Sequence, residues 1–166
     1  MGNTSGTRDA PLEYAQQGVH EKFGRCTYGT TLNDDRTTAT FSTTGAEELH
    51  GDCQVLSGRL SYASGCHRIR IRIEQLRPFS YFSQPKLYVG ISNARVNLGG
   101  DIGGYWHNIE DNDVFELNMN CDQRLIRVVG SDGRERRANV DLNEYPLPWQ
   151  LRLAVRGSSG VARLLP

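Results

Sequence analysis

No apolar run in this 166-residue chain approaches the roughly 20 residues a helix needs to cross a bilayer, so a soluble protein with no membrane partner is expected. Charge of one sign is not in excess either. Lysine plus arginine and aspartate plus glutamate number 19 each, which removes the global field that would hold a chain on nucleic acid. Neither a leading signal peptide nor a C-x-x-C pair occurs, and Cys26, Cys53, Cys66 and Cys121 are unevenly spaced. They read as reduced, mostly buried thiols of a cytoplasmic protein. A zinc site built from Cys66, His67 and His50 fails because adjacent residues on a strand point to opposite faces. The start MGNTSG places Gly6 where acylation favours Ser or Thr, and Asn3-Thr4-Ser5 lacks the secretory route that glycosylation requires. No helical stripe of ten or more residues, internal repeat or low-complexity stretch stands out.

What the chain does have is 18 Gly and 6 Pro among many Thr, Ser, Ile and Val, a composition suited to short strands joined by turns. The length fits one domain. Residues 1–24 are polar and aperiodic and read as a flexible lead-in; residues 25–166 read as the domain. Within it, CHRIRIRIE alternates strictly, with Ile69, Ile71 and Ile73 on one face and Arg68, Arg70, Arg72 and Glu74 on the other. WQLRLAVR repeats the pattern, with Trp149, Leu151, Leu153 and Val155 inward and Gln150, Arg152, Ala154 and Arg156 outward. TTATF, CQVLSG, KLYVGIS, ANVDL and VARLL are further strand candidates. The rhythm predicts an all-β, twisted antiparallel sandwich.

The acid-rich stretch EDNDVFELNMNCDQRLIRVV tests the hydrolase reading. A retaining glycosidase needs two carboxylates about 5 Å apart in one groove. Glu110, Asp113 and Glu116 are spaced by three, so an extended chain turns Asp113 away from the other two, while Asp111 and Asp113 share parity with Phe115, Leu117 and Met119. A calcium loop would need a glycine and a later glutamate at offsets this stretch does not supply. It reads instead as a strand, a turn at Asn120-Cys121-Asp122-Gln123 and a second strand, with Asn118 and Asn120 facing out. The glycine-rich run from Gly99 to Gly104 lacks the context of a phosphate loop, and RGSSGV reads as a turn rather than a nucleophile elbow. No catalytic residue, metal or cofactor is expected.

The ladder Arg68, Arg70, Arg72 sets guanidinium groups about 6.5 Å apart on one strand face, but no aromatic interleaves it to stack bases. Arg134-Glu135-Arg136-Arg137 reads as a charged hairpin tip. Both suit solvated surface unless the fold lays them side by side. Two segments read as loops carry large aromatics instead: Arg77, Phe79, Tyr81 and Phe82, then Tyr105, Trp106, His107 and Asn108. Rigid aromatics and arginine are usual anchors of protein recognition.

In order, SGRLSYASGCHRIRIRIEQL, LYVGIS, a Gly-Tyr-Trp segment, DVFELNMNCDQRLIRVV, SDGRERRANVDL, PLPWQLRLAV and VARLL, from about Arg25 to Leu165, resemble a divergent SPRY domain. The matching marks are Gly65 and His67, Val89 and Gly90, Asp113 and Val114, and Pro148 before Trp149. The departures are Phe115 where a glycine is common, Leu117-Asn118 for Leu-Asp, Asp132-Gly133 for Asn-Gly, and Ile69 for an aromatic. The resemblance implies a concanavalin-like jelly-roll sandwich, without catalysis or cofactor, that binds a protein or peptide through loops at one end. Such modules recognise substrates for ubiquitin ligases and serve in adaptor proteins. The surface is expected at Arg77, Phe79, Tyr81, Phe82, Tyr105, Trp106, His107, Asn108 and Arg134, on a monomer. The alternatives are a lectin-like carbohydrate binder, stacking a sugar on Tyr105 and Trp106, and a sandwich-fold glycoside hydrolase.

Overall fold

A computed structural model describes residues 20–27, 29–42, 53–79, 84–93 and 103–166. Tyr81, Phe82 and the lead-in before His20 lie outside them. The strands are β1 (Phe23–Cys26), β2 (Thr30–Leu32), β3 (Thr38–Phe41), β4 (Gln54–Gly58), β5 (Cys66–Pro78) and β6 (Lys86–Asn93). They continue as β7 (Gly103–Asn108), β8 (Val114–Asn120), β9 (Leu125–Val129), β10 (Glu135–Asn139), β11 (Trp149–Arg156) and β12 (Ser158–Leu165). They form a five-stranded sheet, β1-β4-β11-β6-β7, and a seven-stranded sheet, β10-β9-β8-β5-β12-β3-β2, with antiparallel pairing throughout. This is the all-β sandwich that the alternation predicts.

The core forms because register stacks like with like. Ile69 stands opposite Leu117 and Ile71 opposite Phe115, while Leu117 in turn faces Val128 and Met119 faces Ile126. The other sheet answers with Leu56, Leu87, Val89, Ile91, Leu151 and Leu153, all fully buried. Each such side chain contributes about 1.5–3 kcal/mol on burial. Between β8 and β9 the turn closes as expected: Asn120 Oδ1 accepts the Gln123 amide at 2.9 Å. The carboxylates before β8 serve as loop acceptors, Asp111 for the Leu76 amide and Asp113 for the Glu110 amide.

Four expectations need correction. The last residues assigned to the lead-in belong to the domain, since Phe23 is fully buried in β1 and the Glu21 carboxylate is buried beside Tyr62. On β11 most of the face expected to meet solvent does not, for Gln150, Arg152 and Ala154 are 9%, 4% and 3% exposed, while Arg156 at the strand end is exposed as expected. β11 lies between β4 and β6, and the same face of those neighbours, at Ser57, Tyr88 and Ser92, is equally withdrawn. Asn118 and Asn120 keep their outward parity on β8 but are buried there. Of the four cysteines only Cys121 is buried; Cys26, Cys53 and Cys66 are half-buried.

Candidate functional site

The segment Gly103–Asn108 is not a loop but β7, the edge strand of the five-stranded sheet. Its place depends on Gly104: a Cβ there would sit 2.3 Å from the Val89 carbonyl oxygen and 2.6 Å from Gly90 Cα. Glycine therefore lets the edge strand close against β6. Period-two geometry then divides the aromatics. Tyr105 packs on the core and His107 rests on Phe115, with ring centroids 5.1 Å apart, while Trp106 turns outward and is 36% exposed. Trp106 is held edge-on by Tyr88 at 5.5 Å and carries the Arg156 guanidinium 4.6 Å from its ring centre.

Across from β7 stands the β9–β10 hairpin. Its turn uses Gly133 at φ 79°, and Asp132 Oδ1 accepts the Arg134 amide at 2.9 Å. The Tyr105 hydroxyl donates to the Arg137 carbonyl at 2.8 Å, and the Arg136 guanidinium lies 5.4 Å from the Tyr105 ring centre. These contacts join the edge of one sheet to the edge hairpin of the other. Between them opens a cleft of about 520 Å³.

One wall carries Trp106, His107 and Asn108; the opposite wall carries Ser131, Asp132, Arg134 and Arg136. The floor includes Phe115 and Gly130, and the β7–β8 loop adds Glu110 and Asp113 at the rim. Gln84 closes one corner, donating to the Ile109 carbonyl at 3.2 Å. Both signs of charge meet here, and some are already committed: Asp132 pairs with Arg134 at 3.5 Å, and the Ser131 hydroxyl donates to the Val114 carbonyl. Burial, with nearby Arg136 adding to it, holds His107 below the usual imidazole range, so the ring is neutral at pH 7. Its Nε2 is buried without a hydrogen-bond partner among the described residues. Among those residues no group of three or more His, Cys, Asp or Glu is placed to hold a metal.

Of the surface expected from sequence, Trp106, His107, Asn108 and Arg134 line this cleft and Tyr105 braces its wall. Arg77 and Phe79 do not line it. They end and follow β5 beside the β11–β12 turn, where the Phe79 amide donates to the Gly157 carbonyl at 3.0 Å. Sequence reasoning missed Gln84, Glu110, Asp113, Phe115, Ser131, Asp132 and Arg136 as cleft residues. The Ser131-Asp132-Gly133 turn was the available signal for two of them.

No family model matches the chain, and no curated protein matches it. Solved structures do. The SPRY domain of human HERC1 superposes with a TM-score of 0.57 at 11% identity, over 86% of this chain and 96% of that one. The NHR domain of Neuralized from Drosophila melanogaster gives 0.59 at 9% identity, over 92% and 95%. The TRIM65 PSpry domain gives 0.53 at 6% identity, over 89% and 93%. With superposition over 86–92% of this chain at TM-scores of 0.53–0.59, the chain has the fold of the SPRY and NHR domains.

Proposed function

We propose that this domain is a non-catalytic recognition module that binds a protein or peptide in the cleft between β7 and the β9–β10 hairpin. The observation that carries this reading is the half-exposed Trp106 on the wall of a cleft with both signs of charge at its rim. A rigid aromatic anchor with polar groups around it suits a peptide that buries one apolar side chain and satisfies its backbone at the rim. Substrate selection for a ubiquitin ligase is the setting that the sequence resemblance implies.

The test is a displayed peptide library selected against the domain, followed by titration of the best peptides with Trp106→Ala and Arg134→Glu. Both positions are exposed, so melting should stay close to wild type while affinity falls about tenfold or more, the loss of one anchor contact. Peptides that bind both variants as well as wild type would refute this cleft as the site. A melting-temperature rise with oligosaccharides, absent in Trp106→Ala, would favour a carbohydrate binder instead.

A further inference from the structure

The two basic runs, far apart in sequence, meet on the outer face of the seven-stranded sheet. Register sets Arg68 opposite Asn118, Asn118 opposite Arg127, and Arg127 opposite Arg137, so one row of side chains crosses four strands. Along β5, Arg70 stands opposite Glu116, and Arg72 stands opposite Arg163 of β12. Register thus brings Arg68, Arg70, Arg72, Arg127, Arg137 and Arg163 to this face together with Glu74, Glu116 and Glu135.

Two of these carboxylates, Glu74 and Glu135, are each shared by two arginines. Glu74 accepts from Arg163 at 2.9 and 3.2 Å and lies 3.9 Å from Arg72; Glu135 lies 3.5 Å from Arg127 and also pairs with Arg137; Glu116 lies 3.9 Å from Arg70. Asp35 adds one more negative charge near Arg163, at the margin. A carboxylate divided between two guanidinium groups cannot satisfy the five N–H donors each presents. The side chains of Arg70, Arg72 and Arg163 are 43% exposed and that of Arg137 59%, so donors remain open to solvent.

We propose that this face docks an extended acidic polypeptide with carboxylates at every second residue. Alternate side chains of β5 are about 6.5–7 Å apart, the spacing an extended peptide gives its own alternate side chains. A peptide laid along β5 therefore brings successive carboxylates to Arg68, Arg70 and Arg72, where the guanidinium fork matches a carboxylate with two parallel bonds. A nucleic acid fits less well. The outward positions of these strands hold no aromatic on which bases could stack, and Glu116 and Glu135 among the arginines would repel a continuous phosphate chain.

The test uses the full chain, fluorescence anisotropy and three labelled probes: a peptide alternating Glu and Ser, a peptide of the same composition with its glutamates in one block, and a single-stranded oligonucleotide of equal charge. The alternating peptide should bind tightest and weaken as salt rises. Arg68→Gln with Arg70→Gln and Arg72→Gln should weaken it about tenfold or more, which corresponds to about 1.4 kcal/mol. Arg70→Glu alone, at the middle of the row with a side chain 43% exposed, serves as a second variant should the triple one fail to fold, and it should weaken binding in the same direction. Trp106→Ala should leave this binding unchanged, which separates it from the cleft. Equal affinity for the block peptide, tighter binding of the oligonucleotide, or variants that bind like wild type would overturn the proposal.

Discussion

Replacing Glu21 with alanine removes a buried carboxylate that ties the strand entering β1 to the loop after β4. Its Oε1 accepts the amides of Arg59 at 2.9 Å and Leu60 at 3.0 Å, and its Oε2 accepts the Tyr62 hydroxyl at 2.6 Å. Arg59 has a second acceptor in the Lys22 carbonyl at 2.7 Å, so the groups that lose their acceptor are the Lys22 amide, 2.9 Å from Oε1, the Leu60 amide and the Tyr62 hydroxyl. Burial and then the Glu21 charge push the Tyr62 hydroxyl well above its ordinary range, which keeps it a donor throughout the working pH range. At roughly 1.5–3 kcal/mol for each hydrogen bond to a charged group, the two long-range bonds from Leu60 and Tyr62 alone come to about 3–6 kcal/mol. For a domain of this size that lowers Tm by about 10 °C. Glu21→Gln keeps the volume but sets an NH2 group against either the amides or the hydroxyl, so it should lose about half as much. Thermal unfolding followed by circular dichroism measures all three proteins, and a double-mutant cycle with Tyr62→Phe isolates the hydroxyl bond. If Glu21→Ala melted within a degree or so of wild type, the carboxylate would not be the pin described.

Three more outcomes are expected. His107 is held below the usual imidazole range by burial, so the folded state takes up its proton less readily than the unfolded one; stability should fall as pH drops below about 6.5, and His107→Gln should flatten that part of the Tm profile. Ile71→Asp places an unpaired carboxylate in the fully buried core and should abolish cooperative unfolding at 25 °C, at a cost of several kcal/mol; a wild-type denaturation curve would refute the β5 assignment. Gly104→Ala drives a methyl group into the Val89 carbonyl and should cost about 1–3 kcal/mol while shifting Trp106 fluorescence, because β7 must move away from β6. An unchanged emission spectrum there would show that the edge strand does not depend on the glycine.

Where the chain alternates strictly, sequence and structure agree. The Ile69, Ile71, Ile73 stripe and the hairpin from Val114 to Val129 are set by parity and a polar turn, which are local properties. β7 was hidden because Tyr-Trp-His-Asn has no apolar alternation and follows a glycine run; only the close approach to Gly90 reveals why glycine stands there. β10 was hidden for the opposite reason. As an exposed edge strand it needs no apolar face, so Glu135-Arg136-Arg137 has the composition of a hairpin tip and the alternation points to ANVDL instead. For β11 the parity was read correctly, but whether an outward face meets water depends on what else the fold brings over it. The cleft was half legible: its aromatics stand out in any reading, whereas Asp113 and Asp132 accept the loop amides of Glu110 and Arg134, and these residues come together only once β8, β9 and β10 are paired.

β10 also explains how two surfaces can share one strand without sharing side chains. Glu135 and Arg137 stand opposite Val129 and Arg127 and belong to the outer face, whereas Arg136, between them, lies over Tyr105 and lines the cleft. The Tyr105 hydroxyl reaches the carbonyl of Arg137, not its guanidinium, so the brace between the sheets survives any change of side chain at that position. Alternation on a strand is a strict constraint, and here it separates two proposed surfaces whose residues are adjacent in sequence. A substitution at Arg137 acts on the arginine face and one at Arg136 on the cleft, although their Cα atoms are about 3.8 Å apart.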